Sequence, residues 1–320
     1  MTEARAELIE DGGTAAADDQ FFRSRPFLEA EGVTHSLRIK SHEGELVGPL
    51  IVRDIPGTGA RDATSPYGYP GLHSSVPFRP IATKRNRRMA IDPSLIDWSD
   101  TGLVAVFIRH ALGPSPLAKA TERNVVQIAD PGLPPKSRPS DRRQVRRNLE
   151  AGYEVDLVPG DAATPEQRAG FLSVYEQTMR RTAAAEHYFF SPDYFARILQ
   201  APRTWLALAT APGGTLAAAS IATVSDGYLH YYLSGSADSH LRDSPMKNVV
   251  SRLAEHAAEI GLPLNLGGGI APGDALEEFK RGFANRQLTW LTSELVCDPA
   301  AYERLSRGRD AAGYFPAYRA

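Results

Sequence analysis

A lysine near the end of the chain, Lys280, stands where a cationic side chain could do chemistry. It follows residues 264–270, a pattern typical of a short strand that ends in a glycine-rich loop. In the helix predicted after this loop, Leu276, Phe279 and Lys280 share one face at spacings of three and four residues. A lysine on an apolar face loses hydration unless an anionic group meets it, so Lys280 is a candidate site residue. The alternative is a lysine that reaches water at the fraying helix end, just before Gly282.

The elements upstream of this helix would position it. Residues 228–236 have the pattern of a strand that contains the paired Tyr231 and Tyr232 and runs into a turn of small residues. An amphipathic helix is predicted next, with Ser244 as its N-cap and Gly261 as its stop. The predicted order is therefore strand, amphipathic helix, short strand, glycine-rich loop and a helix that carries Phe-Lys.

This order, with the Phe279-Lys280 pair, resembles the second half of the Fem family (FemA, FemB and FemX), the tRNA-dependent aminoacyltransferases. The resemblance covers about residues 50–298 through several weak matches in the right order. Residues 65–71 look like the Tyr-Gly-Tyr loop of the family's first domain, and residues 171–181 and 188–190 look like the first helix of its second domain and the aromatic exit. It implies an α+β fold made of two tandem GNAT-like (acyl-CoA N-acyltransferase-like) domains, with the Phe-Lys pair at the catalytic centre.

The resemblance also implies roles for single residues. Lys280 is a poor general base while protonated but a good partner for an oxyanion, so we assign it that electrostatic role, with Phe279 shaping the pocket. Arg181 would hold an anionic group of the acceptor or of the tRNA terminus. Five tyrosines would line the site, with core packing as the alternative for each: Tyr67, Tyr69, Tyr188, Tyr231 and Tyr232. Because side chains alternate along a strand, only one of Tyr231 and Tyr232 can face the site.

Two basic clusters interrupt a chain whose formal net charge is only −2. The first cluster is Lys84, Arg85, Arg87 and Arg88. The second begins with Lys136 and Arg138 and continues as a predicted helix with Val145, Leu149 and four arginines on one side: Arg142, Arg143, Arg146 and Arg147. Such a face suits phosphates, and we expect it to bind tRNA. A solvated helix between domains is the alternative.

Length and composition agree with two domains and a cytoplasmic protein. The 320 residues contain no apolar run of the roughly 18 to 20 residues that a membrane helix needs. We expect a disordered tail at residues 1–20, a first GNAT-like domain at 21–138 and a second at 139–298, and residues 299–320 could pack back on the first. Buried strands are predicted at residues 102–108 and 124–128. The oligomeric state is left open.

Several chemistries have little support in the sequence. The single cysteine, Cys297, sits in an apolar stretch and is expected to be structural, and the eight histidines lack metal-ligand spacing. No Walker A sequence, dinucleotide fingerprint or serine-hydrolase elbow is present. Where GNAT enzymes hold the pyrophosphate of CoA in a glycine-rich turn, residues 236–243 have no glycine and two aspartates, which disfavours CoA.

The sequence thus predicts an enzyme that moves an amino acid from aminoacyl-tRNA to an amine and forms an amide. The ester is already activated, so no metal or other cofactor is expected beyond aminoacyl-tRNA as co-substrate. The acceptor is expected to be a small peptide or natural product, or else a cell-wall precursor. Two alternatives remain open: an N-acyltransferase that uses acyl-CoA or acyl-carrier protein, and a non-catalytic RNA-binding protein.

Overall fold

The structure is a computed structural model, and it describes residues 4–42, 44–74 and 90–320. The first of the two basic clusters, residues 84–88, lies outside the described residues. The described strands are β1 Ala4–Ile9, β2 His35–Ser41, β3 Gly44–Asp54, β4 Arg61–Thr64, β5 His73–Ser74, β6 Ile96–Asp97, β7 Leu103–Arg109, β8 Thr121–Ala129, β9 Glu154–Pro159, β10 Thr204–Thr210, β11 Leu216–Ser225, β12 Tyr228–Ser236, β13 Leu264–Gly267 and β14 Arg286–Val296. The α-helices are α1 Arg25–Ala30, α2 Pro139–Glu150, α3 Pro165–Arg181, α4 Pro192–Ile198, α5 Met246–Glu259, α6 Ala275–Arg281 and α7 Pro299–Ser306.

The chain divides into two compact units that are both discontinuous in sequence. Unit 1 is formed by the described residues among 1–18, 31–123 and 289–320, and unit 2 by residues 19–30 and 124–288. The predicted boundary was 138/139, where the proline-rich connector ends. The structure differs because residues 124–138, including most of β8, cluster with the later part of the chain.

Unit 1 is built on strands that come from both ends of the chain. Strands β1 to β4 pair antiparallel in succession, while β6 lies parallel to β1 and β7 parallel to β4. Strand β14 pairs antiparallel with β7 through residues 292–296. The C-terminal segment belongs here as well, because Tyr318 packs with Val104 and Ala301, and Arg319 forms an ion pair with the buried Asp62.

The N-terminal region is not the disordered tail that its composition predicted. Ala4–Ile9 form β1, and Ala4 and Ala6 are buried against β2. Alanine is so small that the alternation of buried positions is hard to see in the sequence. Further along, the aromatic rings of Phe21 and Phe22 are fully buried in unit 2 beside Tyr232. Residues 19–30 therefore belong to unit 2 rather than to the first domain.

Unit 2 has a mixed sheet covered by helices on both faces. Strands β9, β10, β11 and β12 are antiparallel, β13 is parallel to β12, and β8 is antiparallel to β13. Helix α5 packs Val249, Val250 and Leu253 on one face of this sheet. On the other face, the hydroxyl of Tyr194 in α4 lies 3.1 Å from that of Tyr232 in β12. Layers of this kind confirm the expected α+β class.

Local signals place most element ends of unit 2 correctly. Helix α3 begins with a capping box, in which Thr164 and Gln167 each accept from the other's backbone N–H. The prediction for α5 was one residue off, because its N-cap is Pro245 and Ser244 takes a left-handed backbone with φ 50°. The outer half of β8 is exposed at Val125, so the predicted burial of this strand holds only for residues 126–128.

Helix α2 is docked by polar groups rather than by an apolar stripe. Leu149, which the helical wheel put beside the arginines, is 55 % exposed, whereas Asn148 is buried. The Asn148 side-chain amide donates to Asn248 Oδ1 (2.7 Å) and to the Asp243 carbonyl (2.8 Å). Asn248 in turn donates to the carbonyl of Val145 (3.1 Å). This network orients the arginine-bearing helix on α5.

We predict that Asn248→Ala lowers the free energy of unfolding by about 1–3 kcal/mol, because it removes the acceptor of one Asn148 N–H and the donor to the Val145 carbonyl. Denaturant unfolding followed by circular dichroism measures the change. Gln200→Ala, at an exposed amide, is the control and is expected to stay within about 0.5 kcal/mol. An unchanged midpoint for Asn248→Ala would show that the network does not hold α2.

Candidate active site

The glycine-rich loop after β13 is folded around one carboxylate. Asp274 caps helix α6, and its Oδ1 accepts the N–H of Glu277 (2.7 Å). Its Oδ2 accepts the N–H groups of Ile270 (2.6 Å) and Ala271 (2.9 Å). Backbone hydrogen bonds from Glu277 and Ala271 hold the pKa of Asp274 below its usual range. Asp274 was not predicted from the sequence, although an Asp followed three residues later by Glu is a helix-start pattern.

Close packing explains two of the three glycines. A Cβ at Gly268 would lie 2.5 Å from the amide nitrogen of Asn124, and a Cβ at Gly269 would lie 2.4 Å from Asp274 Oδ1. The Asn124 amide also donates to the carbonyl of Gly269 (2.8 Å). Asn124 comes from β8, about 145 residues earlier, so no local signal could have linked it to the loop. These contacts leave the carbonyl of Gly268 available to Lys280.

Lys280 is buried at this loop. The residue is only 8 % exposed, and its Nζ donates to the Gly268 carbonyl at 2.6 Å. Burial lowers the pKa of Lys280 from 10.5 to about 8, against the opposing effect of the Asp274 carboxylate. Within the described part of the chain, Gly268 O is the one recorded acceptor for this ammonium, which has three N–H bonds. Its two other N–H donors therefore have no recorded acceptor among these residues.

The face of α6 differs from the predicted stripe. Leu276 is 39 % exposed, and Glu277 is buried in its place. Glu277 accepts from the N–H of Gly273 (2.7 Å) and pairs with Arg281, and these interactions lower the pKa of its carboxyl. A helix of two turns has too few residues for a clear hydrophobic period. Contacts between α6 and the loop therefore decide which of its side chains are buried.

Phe279, Tyr231 and Tyr232 do not all lie on the same face of the unit 2 sheet. Phe279 and Tyr231 both pack against the core cluster that contains Val249 and Leu266. Tyr231 hydrogen-bonds Ser234 (2.6 Å), and burial raises its pKa to about 12. Tyr232 lies on the opposite face with Phe22. Of the two tyrosines, Tyr231 therefore shares the cluster of Phe279.

Arg181 and Tyr188 lie on the α3 side of unit 2. The Arg181 guanidinium pairs with Asp238 and donates to the Ser236 carbonyl at 3.3 Å. An external anion would have to compete with Asp238 for it. Tyr188 accepts a hydrogen bond at its carbonyl from the Tyr175 hydroxyl (2.8 Å), and its ring lies 4.1 Å from that of His187.

The two tyrosines of the Tyr-Gly-Tyr loop belong to unit 1. The backbone N–H of Tyr67 donates to the Glu31 carboxylate at 2.9 Å. The ring of Tyr69 meets that of Trp290 edge-on, with centroids 5.6 Å apart. Both residues are partly exposed, so each side chain keeps a surface that a ligand could contact.

All four arginines of α2 are exposed. Arg142 donates to Ser137, while no ion pair or hydrogen bond is recorded within residues 4–42, 44–74 and 90–320 for the side chains of the other three: Arg143, Arg146 and Arg147. We call these four residues the arginine face. No carboxylate among the described residues forms an ion pair with the arginine face, so its positive charge is open to solvent.

The start of α2 is bound to the end of α6. Arg138 donates to the Glu278 carbonyl (2.7 Å) and carboxylate (2.6 Å), and its own N–H bonds the Gly282 carbonyl (2.9 Å). A Cβ at Gly282 would lie 2.3 Å from an Asp141 carboxylate oxygen. The helix with the arginine face and the helix with Lys280 are thus in direct contact within unit 2.

Other candidate chemistries find few groups in the described residues. No cluster of three or more His, Cys, Asp or Glu side chains in this part of the chain is placed to hold a metal ion. Burial lowers the pKa of His230 to about 4, and both ring nitrogens have partners, Ser225 O and Asn265. Burial also raises the pKa of the Cys297 thiol, as in an unreactive core cysteine.

None of the helices that the structure describes has the length and the apolar character needed to span a bilayer.

Comparisons with known proteins place these features in a common fold. Residues 135–281 match the family described as acetyltransferase (GNAT) domain. No curated protein matches the sequence.

Solved structures resemble the chain over most of its length at low identity. FemX is 11 % identical, covers 84 % of this chain and 89 % of its own, and superposes with a TM-score of 0.56. The C-terminal domain of a putative lysylphosphatidylglycerol synthetase from Agrobacterium fabrum is 14 % identical, with 89 % of each chain covered and a TM-score of 0.57. The fold prediction is confirmed: the chain has an α+β fold of the tandem GNAT-like kind, and residues 135–281 match the acetyltransferase (GNAT) domain family.

Proposed function

We propose that this protein is an aminoacyltransferase that moves an amino acid from aminoacyl-tRNA to the amine of a small acceptor and forms an amide. The observation that carries the proposal is the buried Lys280 ammonium, held by one carbonyl on a glycine-rich loop beside Phe279. The likeness to FemX adds support at the level of fold.

The chemistry requires little beyond alignment and charge. The acceptor amine attacks the carbonyl carbon of the aminoacyl ester, and a tetrahedral intermediate forms with negative charge on the former carbonyl oxygen. The bond between the carbonyl carbon and the 3′ oxygen of the tRNA then breaks, and the oxygen leaves as a hydroxyl group because the proton lost by the amine is transferred to it, directly or through water. An ammonium in a desolvated site stabilises the oxyanion more strongly than it would in water. We assign this role to Lys280, whose free N–H donors face no other described acceptor.

The acceptor that we favour is a small peptide or natural product with a free amine, and a cell-wall precursor is the alternative. Tyr231, which packs with Phe279, would line the pocket for the aminoacyl or acceptor side chain. Arg181 would meet an anionic group only by giving up Asp238. No cofactor is proposed other than aminoacyl-tRNA as co-substrate.

An acyl-CoA-dependent N-acyltransferase is the second candidate, because residues 135–281 match an acetyltransferase family. Two observations disfavour it. Residues 236–243, where the resemblance places the pyrophosphate of CoA, contain the carboxylates of Asp238 and Asp243. Asp243 accepts from the Tyr153 hydroxyl at 2.7 Å, so the acidic group is part of the packed structure.

The acyl donor that the protein uses, aminoacyl-tRNA or acyl-CoA, distinguishes between the two candidate functions. We predict amide formation when purified tRNA pools, charged with single amino acids, are supplied with a panel of amines, and disappearance of that activity after ribonuclease treatment. Acetyl-CoA in place of charged tRNA is expected to give no product and no thermal protection of the protein. Ribonuclease-resistant activity with acetyl-CoA would establish the second candidate instead.

Lys280→Met is predicted to lower kcat by roughly 10²- to 10³-fold, since a donor to the oxyanion is removed, while the fold survives because an unfavourable buried charge is removed with it. Because the pKa of Lys280 is lowered to about 8, its protonated fraction and the wild-type kcat are expected to fall as pH rises through 8. Lys119→Met, at an exposed lysine paired with Asp92, is the matched control. If Lys280 were a general base, kcat would instead rise through the same pH range.

The arginine face predicts a sequence-independent contribution to tRNA binding. Arg143→Glu with Arg147→Glu is expected to weaken the binding of different tRNAs equally and to reduce the salt slope by about one for each phosphate that the variant no longer binds. Fluorescence anisotropy over a salt series measures both quantities. Arg304→Glu with Arg307→Glu, at exposed arginines around the end of α7, is the control. An unchanged slope would show that the arginine face is only a solvated surface.

A further inference from the structure

A cleft of about 540 Å³ opens in unit 2 beside the first turn of α2. Three elements meet there: the start of α2, the end of α6 and the first residues of β14. Among the described residues that line the cleft, none is acidic and four are cationic: Lys136, Arg138, Arg281 and Arg286. A concave surface with this composition favours an anion.

A buried amide in the wall of the cleft has an unused donor. Gln127 is fully buried, and its Oε1 accepts from the Gln287 side chain at 3.2 Å. Its Nε2 has no hydrogen-bond acceptor among the residues that the structure describes. A buried N–H group without an acceptor is unfavourable, so a ligand that accepts from it gains affinity. Gln127 is also the partner of Gly267 in the register of β8 and β13, at the start of the glycine-rich loop.

The arginines that line the cleft form ion pairs with carboxylates that are not among its lining residues. Arg138 pairs with Glu278, Arg281 with Glu277 and Glu278, and Arg286 with Asp130. Lys136 has no recorded ion-pair partner within the described chain. Four cations against three carboxylates leave one excess positive charge. Each guanidinium has five N–H donors, so an arginine fixed by a carboxylate can still donate to a ligand.

We propose that this cleft is a phosphate-binding subsite, and that in the tRNA-dependent reaction it holds a phosphodiester close to the aminoacylated 3′ end. The inference rests on the proposed function for the identity of the RNA. Two continuities support it. Helix α2 begins at the cleft with Pro139, and the arginine face, residues 142–147, extends along it for about 8 Å. At the other side, Arg281 lines the cleft and directly follows Lys280 in α6.

The cleft thereby lies between the arginine face of α2 and Lys280 in α6, which have separate roles in the proposed function. An RNA strand bound along the arginine face would pass one phosphate into the cleft, and its terminal ester would then approach the Gly268-Lys280 pair. Gln127 contributes an uncharged donor, which suits a phosphodiester oxygen and adds no charge to the desolvated wall.

Binding of inorganic pyrophosphate and of the trinucleotide CCA, measured by isothermal titration calorimetry, tests the proposal on the full chain. Lys136→Ala and Arg286→Ala are each expected to weaken both probes roughly tenfold, as for removal of a charge-assisted hydrogen bond. Gln127→Leu is expected to weaken them about as much without changing the charge. Arg180→Ala, at an exposed arginine paired with Glu176 on α3, is the matched control and is expected to stay within about twofold. Thermal melts confirm that each variant is folded.

The outcomes separate this inference from the proposed function. Equal binding of both probes by wild type and the three cleft variants, or no binding by wild type, would overturn the subsite even if charged tRNA supports amide formation. Pyrophosphate binding that depends on the cleft, with no binding of CCA or intact tRNA, would instead overturn the RNA assignment and, with it, the proposed function. Cleft-dependent binding of both CCA and intact tRNA supports the inference.

Discussion

The burial of the Lys280 ammonium is the constraint on which the surrounding structure depends. A pKa lowered from 10.5 to about 8 means that burial disfavours the charged side chain by roughly 3 kcal/mol relative to water. That is a sizeable fraction of the roughly 5–15 kcal/mol by which a domain is typically stable. A cost of this size explains why so many contacts fix the acceptor of the ammonium, the Gly268 carbonyl. Asp274 caps the helix and gathers the loop, and Asn124 holds the neighbouring carbonyl from a distant strand.

A second constraint is the polar docking of α2. Its buried side carries Asp141 and Asn148, and its partners are Lys247, Asn248 and the Gly282 region of α6. Hydrogen-bonded amides are directional, so they specify how the helix sits on α5 more narrowly than an apolar stripe does. The arginines lie on the opposite, exposed side of α2. The first residues of α2 contact the end of α6. The arginine face and Lys280 therefore lie within the same unit of the fold.

The likeness to solved structures supports the fold but does not identify the substrates. At 11–14 % identity, FemX and the putative lysylphosphatidylglycerol synthetase domain share the chain's architecture. The proposed function rests on this chain's own residues: a desolvated cation beside a glycine-rich loop and, for the RNA, the exposed arginine face of α2. The basic cleft is a further inference that builds on it. Each feature can be removed by one or two substitutions without touching the others.

The sequence by itself determined the features that depend on neighbours along the chain. The capping box of α3, the stripe of α5 and the strands of residues 204–236 follow from periodicity and helix-end signals, and Lys280 stood out from its spacing with Phe279. Only the tertiary structure decided which residues meet from far apart. Ala4–Ile9 form a strand because they pair with β2. Glu277, rather than Leu276, lies on the buried face of α6 because Gly273 and Arg281 bind its carboxylate. Gln127 reached the cleft through pairing with a strand about 140 residues away. Such contacts leave no periodic trace in the sequence, since their energy comes from desolvation and geometry that exist only after the chain has folded.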